Sequence, residues 1–291
     1  MTTSKLRVIA GAALIVAGCA GHDDNEITAT TTAALEPSPA TPFAPTDTYA
    51  VLERCAVQGE QTCVGGYWIR EVNRVDGLRL VSALDVSRLG TEALAQASGG
   101  GNELVVRGAF GPADRRTGLH PFLVYEAWRG LPDVGPILGD GYFTVNKDGD
   151  ELFASLVNTG WEKRIGTVSV AFAPRLVDTA WLSSRVLEHG ALVAGRVEGS
   201  AFEALRLDAN QVYVRLPDTV GPCPMEELFC GDETATYERD ENRCLVPTGC
   251  ATPRACPMYI PVCDPGYVLR SWASQPAACP AYACDPAFLS L

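Results

Sequence analysis

The stretch GYFTVNKDGDELFASLV, from Gly141 to Val157, alternates apolar and polar residues on both sides of an Asp148-Gly149 pair. Such alternation is typical of strands with one buried face, and Asp-Gly readily takes the positive φ angles of a tight hairpin turn. An earlier stretch, GYWIREVNRVDGLRLVSALD from Gly66, also opens with Gly-Tyr-aromatic and has an Asp76-Gly77 pair. We therefore expect two units that each begin with an antiparallel hairpin.

A helix candidate follows each predicted hairpin. The candidates are SRLGTEALAQASGGG from Ser87 and PRLVDTAWLSSRVLEHG from Pro174. In the second, Asp178 is placed to cap the N-terminus and Gly190 to close the C-terminus, since both residue types favour these positions.

Two further strands complete each predicted unit. ELVVRGAFG (103–111) matches ALVAGRVEG (191–199), and FLVYEAWRGLPD (122–133) matches QVYVRLPD (211–218) up to the shared Leu-Pro-Asp ending. The pattern predicts an α+β, β-rich body of two tandem strand-strand-helix-strand-strand repeats, residues 49–134 and 135–218, related by pseudo-twofold symmetry. Convergent strand-like composition is the alternative explanation.

The N-terminus predicts export. Lys5 and Arg7 precede VIAGAALIV (8–16), an apolar run shorter than the roughly 20 residues that cross a bilayer. The run ends in VAGC, which resembles the lipobox of bacterial lipoproteins. This resemblance implies that residues 1–19 are a lipoprotein signal, that Cys19 carries fatty acid such as palmitate, and, with Ala20 next, that the protein lies at the outer membrane. An ordinary signal peptide with a chance cysteine is the alternative.

Composition limits the other partners. Residues 20–48 are rich in Thr, Ala and Pro and lack a core pattern, which predicts a disordered tether that spaces a folded body from the membrane. The chain has 23 basic and 35 acidic residues, a net charge of −12. Nucleic acid is excluded as an expected partner because its phosphates bind clustered Lys and Arg. The same negative charge would repel anionic lipid headgroups, so membrane attachment should depend on acyl chains. The protein would face either the periplasm or the cell surface.

Cysteine spacing predicts disulfides in place of a metal site. CPMEELFC (223–230) recurs as CPMYIPVC (256–263) within a tail, residues 219–291, that has few apolar runs. Zinc is the alternative, but the chain has no C-x-x-C pair. We expect two four-cysteine modules, with three pairings open in each, and a separate Cys55 to Cys63 bond. The modules comprise Cys223, Cys230, Cys244, Cys250 and Cys256, Cys263, Cys279, Cys284.

Two resemblances bear on function. The run from Cys63, C-x-G-G-Y-W-I-x-x-V-N, with the LVVRGAFG strand, resembles an uncharacterised domain-of-unknown-function family of Gram-negative lipoproteins over residues 48–218. FCGDETATY (229–237) and YIPVC (259–263) are similar to parts of Kazal-type protease inhibitors, although each module has four cysteines in place of six. That similarity implies that Met225 and Met258 would be the residues presented to a protease.

Catalytic motifs are few. Only three histidines exist, His22, His120 and His189, and none accompanies a serine elbow or an H-E-x-x-H motif. NKDGDE (146–151) does not match the spacing of a calcium loop and is expected to be a turn, and ERDENR (238–243) is expected to be a solvated loop. We therefore predict a non-enzymatic, lipid-anchored cell-envelope protein without cofactor or metal, which binds an unknown protein or envelope ligand or forms surface structure. The second hypothesis is a protease inhibitor, and the third an unrecognised hydrolase.

Overall fold

Strands dominate the computed structural model, which describes residues 47–54, 67–75, 77–98, 103–132, 135–137, 139–170, 176–199, 204–218, 223 and 228–289. The first half of the body contains β1 (Thr48–Arg54), β2 (Tyr67–Glu71), β3 (Leu78–Val81), β4 (Leu84–Asp85), α1 (Thr91–Ser98), β5 (Leu104–Phe110) and β6 (Phe122–Gly130). The second half contains β7 (Gly141–Asp148), β8 (Glu151–Leu156), β9 (Glu162–Ile165), β10 (Thr167–Val170), α2 (Thr179–Leu187), β11 (Leu192–Glu198) and β12 (Arg206–Leu216).

The tail adds two hairpins and a short 3-10 helix. These elements are β13 (Thr234–Arg239), β14 (Leu245–Ala251), β15 (Tyr267–Ser274), β16 (Cys279–Pro286) and a 3-10 turn at Ala287–Leu289. The β-rich α+β class and the disulfide-rich C-terminal region that the sequence predicts are therefore confirmed. Among the described residues, no helix has the length and apolar character that a membrane crossing requires.

A single twelve-stranded sheet forms the body, and its central pair is β6 and β12. The sheet continues through β5, β1, β2 and β3 on one side and through β11, β7, β8 and β9 on the other. Two short strands add parallel pairs, β4 with β6 and β10 with β12. Each helix thus follows four strands, and the expectation of two strands before each helix was wrong.

The two predicted hairpins differ from each other in the structure. Gly149, with φ of 59°, follows Asp148 in the tight β7–β8 turn, where Asp148 pairs with Glu151. The other stretch forms β2 and β3, joined by residues 72–77 and not by a two-residue turn. Gly66 and Asp76 lie outside the described residues. β7 also lies beside β11, whereas β2 lies one strand further from the centre, so the Gly-Tyr-aromatic openings do not occupy matching places.

Two asparagines join the outer parts of the two halves. Asn73, after β2, donates to the backbone oxygens of Tyr142 and Val157 and accepts from the Tyr142 N–H. Asn158, after β8, donates to the backbone oxygens of Tyr49 and Val72 and accepts from the Tyr49 N–H. Each asparagine side chain therefore satisfies backbone groups of the opposite half, and we call this pair the asparagine clamps.

Both faces of the sheet carry a hydrophobic core. The buried apolar side chains form a larger and a smaller cluster. Val106 belongs to the larger cluster and Val105 to the smaller one, because successive side chains of a strand point to opposite faces of the sheet. The larger cluster receives Trp181, Leu182 and Val186 of α2, which begins where Asp178 accepts hydrogen bonds from the N–H groups of Ala180 and Trp181. The predicted cap of this helix is thus confirmed.

The tail packs against the body. Tyr267, Cys284, Phe288 and Leu289 belong to the larger body core. The Tyr267 hydroxyl donates to the Pro132 carbonyl at 3.2 Å, and the Cys284 N–H donates to the Leu176 carbonyl at 2.8 Å. β1 begins at Thr48, which is buried beside Glu71, so this strand includes the last residue assigned to the tether.

Candidate functional site

The segment between Cys256 and Cys263 is held at both ends by disulfides. Cys256 bonds Cys279 and Cys263 bonds Cys284, so each end is tied to strand β16. Residues 252–264 form no helix or strand. We call Pro257–Val262 the apolar loop; it is a short irregular segment fixed on a hairpin.

Four apolar side chains of this loop face solvent. The exposed fractions are 102% for Met258, 72% for Tyr259, 69% for Ile260 and 88% for Val262. Pro261, between Ile260 and Val262, is buried. Single exposed apolar residues are normal on protein surfaces, but four within five positions form an apolar patch, and such patches mark interaction sites.

The backbone of the apolar loop is also free to bind. Across the described residues, no backbone hydrogen bond joins Met258 to Val262 with another backbone group. Pro257 and Pro261 have fixed φ angles and no N–H, so they stiffen the segment. The loop therefore offers exposed apolar side chains together with carbonyl and N–H groups that bond no other backbone group among the described residues.

The first module has a different surface. Its disulfides join Cys223 to Cys244 and Cys230 to Cys250, the same alternating order as in the second module. Phe229 is 96% exposed beside Cys230. Met225, the other residue proposed for protease contact, lies outside the described residues, as do Cys19, Cys55 and Cys63 with the predicted signal and most of the tether.

Buried charges fill the junction between the tail and the body. Asp218, at the end of the body, accepts hydrogen bonds from the Arg185 Nε and, at 3.1 Å, from the Trp181 Nε1 of α2. In the tail, Arg239 Nη2 donates to both oxygens of Asp285 at 2.8 and 2.7 Å. Arg243 reaches both carboxylates, 3.4 Å from Asp218 and 3.9 Å from Asp285. We call the five charged residues the junction cluster; they are Arg185, Asp218, Arg239, Arg243 and Asp285.

The junction cluster corrects one prediction from the sequence. ERDENR was expected to be a solvated loop, yet the side chains of Arg239 and Arg243 are only 6% and 9% exposed. Burial lowers the pKa of Arg243, the Asp218 and Asp285 carboxylates oppose this, and nearby Arg239 and Arg185 lower it further. The sequence around Arg239 and Arg243 did not predict their burial, because this burial depends on the body that covers them.

A carboxylate and two phenols occupy the smaller core. Glu103 accepts hydrogen bonds from the hydroxyls of Tyr142 and Tyr213 at 2.7 and 2.8 Å. Burial, followed by the Glu103 charge, raises the pKa of both tyrosines, so they remain donors. This arrangement ties β5, β7 and β12 together across the sheet.

His120 and His189 lie in a strand connection and at a helix end, and His22 lies outside the described residues. His120 Nδ1 lies 2.6 Å from the Gly111 carbonyl, in the connection between β5 and β6. The His189 N–H donates to the Ser184 carbonyl at the end of α2, next to Gly190 with φ of 65°. In the described part of the chain, no group of three or more His, Cys, Asp or Glu could hold a metal ion.

The chain is similar to one protein of unknown function. An uncharacterized protein of Dictyostelium discoideum is 29% identical over 205 residues, which are 64% of this chain and 69% of that protein. No family model matches the chain, and no solved structure matches it. The site must therefore be interpreted from its own chemistry.

Proposed function

We propose that the protein is a lipid-anchored, non-enzymatic binding protein of the cell envelope that recognises a partner protein through the apolar loop. The observation that supports this most is the exposure of Met258, Tyr259, Ile260 and Val262 between two disulfide-bonded cysteines. Exposed hydrophobic side chains gain free energy when a partner covers them, and the disulfide at each end of the loop reduces the conformational entropy that binding costs.

A protein cleft suits this loop better than a lipid surface. The unpaired backbone groups of Met258 to Val262 would lose their water in hydrocarbon without gaining partners, whereas a protein cleft can supply both. No charged residue lies between Cys256 and Cys263, which favours a neutral, apolar cleft. The partner we propose is therefore a protein that takes an extended segment into an uncharged groove.

The membrane anchor in this proposal is Cys19. Support comes from the order of basic residues, apolar run and VAGC, from the Ala20 that favours the outer membrane, and from the resemblance to Gram-negative lipoproteins. Replacing Cys19 with Ser should abolish fatty-acid labelling and leave the precursor uncleaved. Label retained in Cys19→Ser would contradict the anchor without bearing on the apolar loop.

We also propose that the body arose by tandem duplication. Support comes from the strand order, in which each strand of the second half takes the place of the strand six earlier, as β11 does for β5. Gly108 and Gly195 both lie where the register shifts, and an added Cβ on either would come within 2.1 Å of a carbonyl oxygen on the neighbouring strand. Val72-Asn73 and Val157-Asn158 give the same dipeptide at the asparagine clamps.

The two modules provide a matched test of the apolar loop. The first module has Glu226 and Glu227 where the second has Tyr259 and Ile260, so Tyr259→Glu with Ile260→Glu copies a pair this chain already carries. A photo-crosslinking side chain at position 258 should join the lipidated protein to one specific protein partner in cells. The double substitution should remove that product.

Position 75 provides the control for crosslinking. Val75 is as exposed as Met258 but lies in the β2–β3 connection of the body. The same crosslinker at position 75 should not give the product. An identical product from both positions, or a product that survives the double substitution, would refute recognition through the loop. Crosslinking only to lipid would assign the loop to the membrane surface instead.

Protease inhibition is the second candidate, favoured by one observation. Met258 is fully exposed two residues after the bonded Cys256, in an irregular segment with an unpaired backbone. Stoichiometric inhibition of a protease that accepts methionine or large apolar residues, lost in Met258→Asp and kept in Val75→Asp, would establish it. Cleavage of the loop without inhibition would rule it out.

A further inference from the structure

Each arginine of the junction cluster has a buried nitrogen without a partner. Arg185 Nη1, Arg239 Nη1 and Arg243 Nε are all inaccessible to solvent and form no hydrogen bond within the described part of the protein. The three side chains are 4%, 6% and 9% exposed. An unsatisfied buried donor is unfavourable, and one on each of three neighbouring guanidinium groups indicates a missing acceptor.

Charge in the junction cluster leads to the same conclusion. Arg185, Arg239 and Arg243 carry three positive charges, against two negative charges on Asp218 and Asp285. The nearest further carboxylate, Asp178, already caps α2 and lies 3.9 Å from Arg239. Arg270 also lies near Asp285, at 3.8 Å, and adds another positive charge at the rim. When Asp178 and Arg270 are counted as well, four positive charges face three negative charges, and a bound monovalent anion would neutralise this net charge of +1.

Arg243 is the least tightly held of the three arginines. Its distances to Asp218 and Asp285, 3.4 and 3.9 Å, exceed the 2.7–3.2 Å usual for N–H···O bonds. Its guanidinium also lies over the Trp181 ring, 5.6 Å from the centroid, so this central cation is shared among several weak contacts. A small acceptor near Arg243 would satisfy donors that neither carboxylate reaches.

We propose that the junction cluster binds one small monovalent anion, a halide or a carboxylate, between the tail and the body. The donors are N–H groups of Arg185 from α2 and of Arg239 and Arg243 from the tail hairpin. Bound there, the anion joins the two parts and stabilises the docked tail. This site does not depend on the identity of the partner of the apolar loop.

Thermal unfolding of the full, oxidised chain tests the site. Sodium chloride, bromide or formate is titrated against sodium gluconate, whose bulk excludes it, at constant ionic strength. The apparent melting temperature should rise by about 5 °C and then saturate, because a ligand that binds only the folded state stabilises it. A preference for chloride and bromide would identify a halide, and a preference for formate a carboxylate.

Two variants separate binding from general salt effects. Arg243→Gln should lose the saturable rise, whereas Arg270→Gln, at the half-exposed rim beside the same Asp285, should keep it. An equal rise in Arg243→Gln would overturn the proposal, and so would a wild-type protein in which chloride, bromide and formate all have the same effect as gluconate. If Arg243→Gln does not fold, the wild-type titration still decides, together with anomalous scattering from bromide-soaked crystals. A bromide peak among the three guanidinium groups would support the site, and its absence together with no stabilisation by formate would refute it.

Discussion

Asn73 and Asn158 have left-handed backbones, with φ angles of 59° and 60°. Asparagine tolerates this region better than most residues, because its short polar side chain forms local hydrogen bonds. Here the side chains bond strands of the opposite half, three hydrogen bonds for each asparagine. Asparagine at these two positions thus adopts an unusual backbone angle and also joins strands that are distant in sequence.

Replacing Asn158 should destabilise the whole body. Asn158→Gly keeps the backbone angle but removes three hydrogen bonds, and should lower the free energy of unfolding by about 2–4 kcal/mol. Asn158→Ala should cost about 1 kcal/mol more, since alanine is strained at positive φ. Denaturant unfolding measures both. Asn146→Ala, at an exposed position on β7, is the control, and an equal loss of stability there would contradict the role of the clamp.

Strands with a regular alternation were the elements most accessible from sequence. β5, β11 and the β7–β8 hairpin lie where the apolar pattern predicts them, and Asp178 marks the start of α2. β4 and β9 have two and four residues, and only one residue of β9 is buried, so they lack a readable period. The parallel pairs of β4 with β6 and β10 with β12 arise from the tertiary fold, which local pattern does not encode.

A substitution at Gly195 tests the close contact between strands β11 and β12 at the bulge. A Cβ there would lie 2.1 Å from the Asp208 carbonyl oxygen, well inside van der Waals contact. Gly195→Ala should therefore destabilise the protein by about 2–4 kcal/mol, because the strands must separate or shift register. Gly90→Ala, where the added Cβ meets nothing within 4 Å, provides the control in the same thermal unfolding measurement. Equal stability of the two variants would show that the sheet relaxes without cost.

On the scale of the whole molecule, the tail is part of the body's core. The sequence indicated the two cysteine modules, but composition alone assigned the tail little core. Phe288, Leu289 and Tyr267 pack into the body, and Arg239 and Arg243 become buried by this docking. These contacts join residues far apart in sequence, so neither the exposed side of the apolar loop nor the junction cluster could be derived from local pattern.

Removing residues 219–291 should therefore weaken the body. We expect the shortened chain to unfold at a temperature at least about 5 °C lower and to bind a hydrophobic dye, because core surface becomes exposed. Met258→Ser in the full chain changes the tail surface but not its docking, and should unfold as the wild type does. An unchanged unfolding temperature after truncation would mean that the tail only rests on the body.

The asparagine clamps also affect whether the two halves reassemble after the chain is cut between them. A break between residues 132 and 139 separates the two halves, and each is left with one asparagine whose backbone partners are on the other fragment. β6 also loses its neighbour β12 and becomes an open edge ready to pair again. The halves should then reassemble as a complex of two fragments. A single half produced alone has the same open edge and should tend to form homodimers or domain-swapped assemblies.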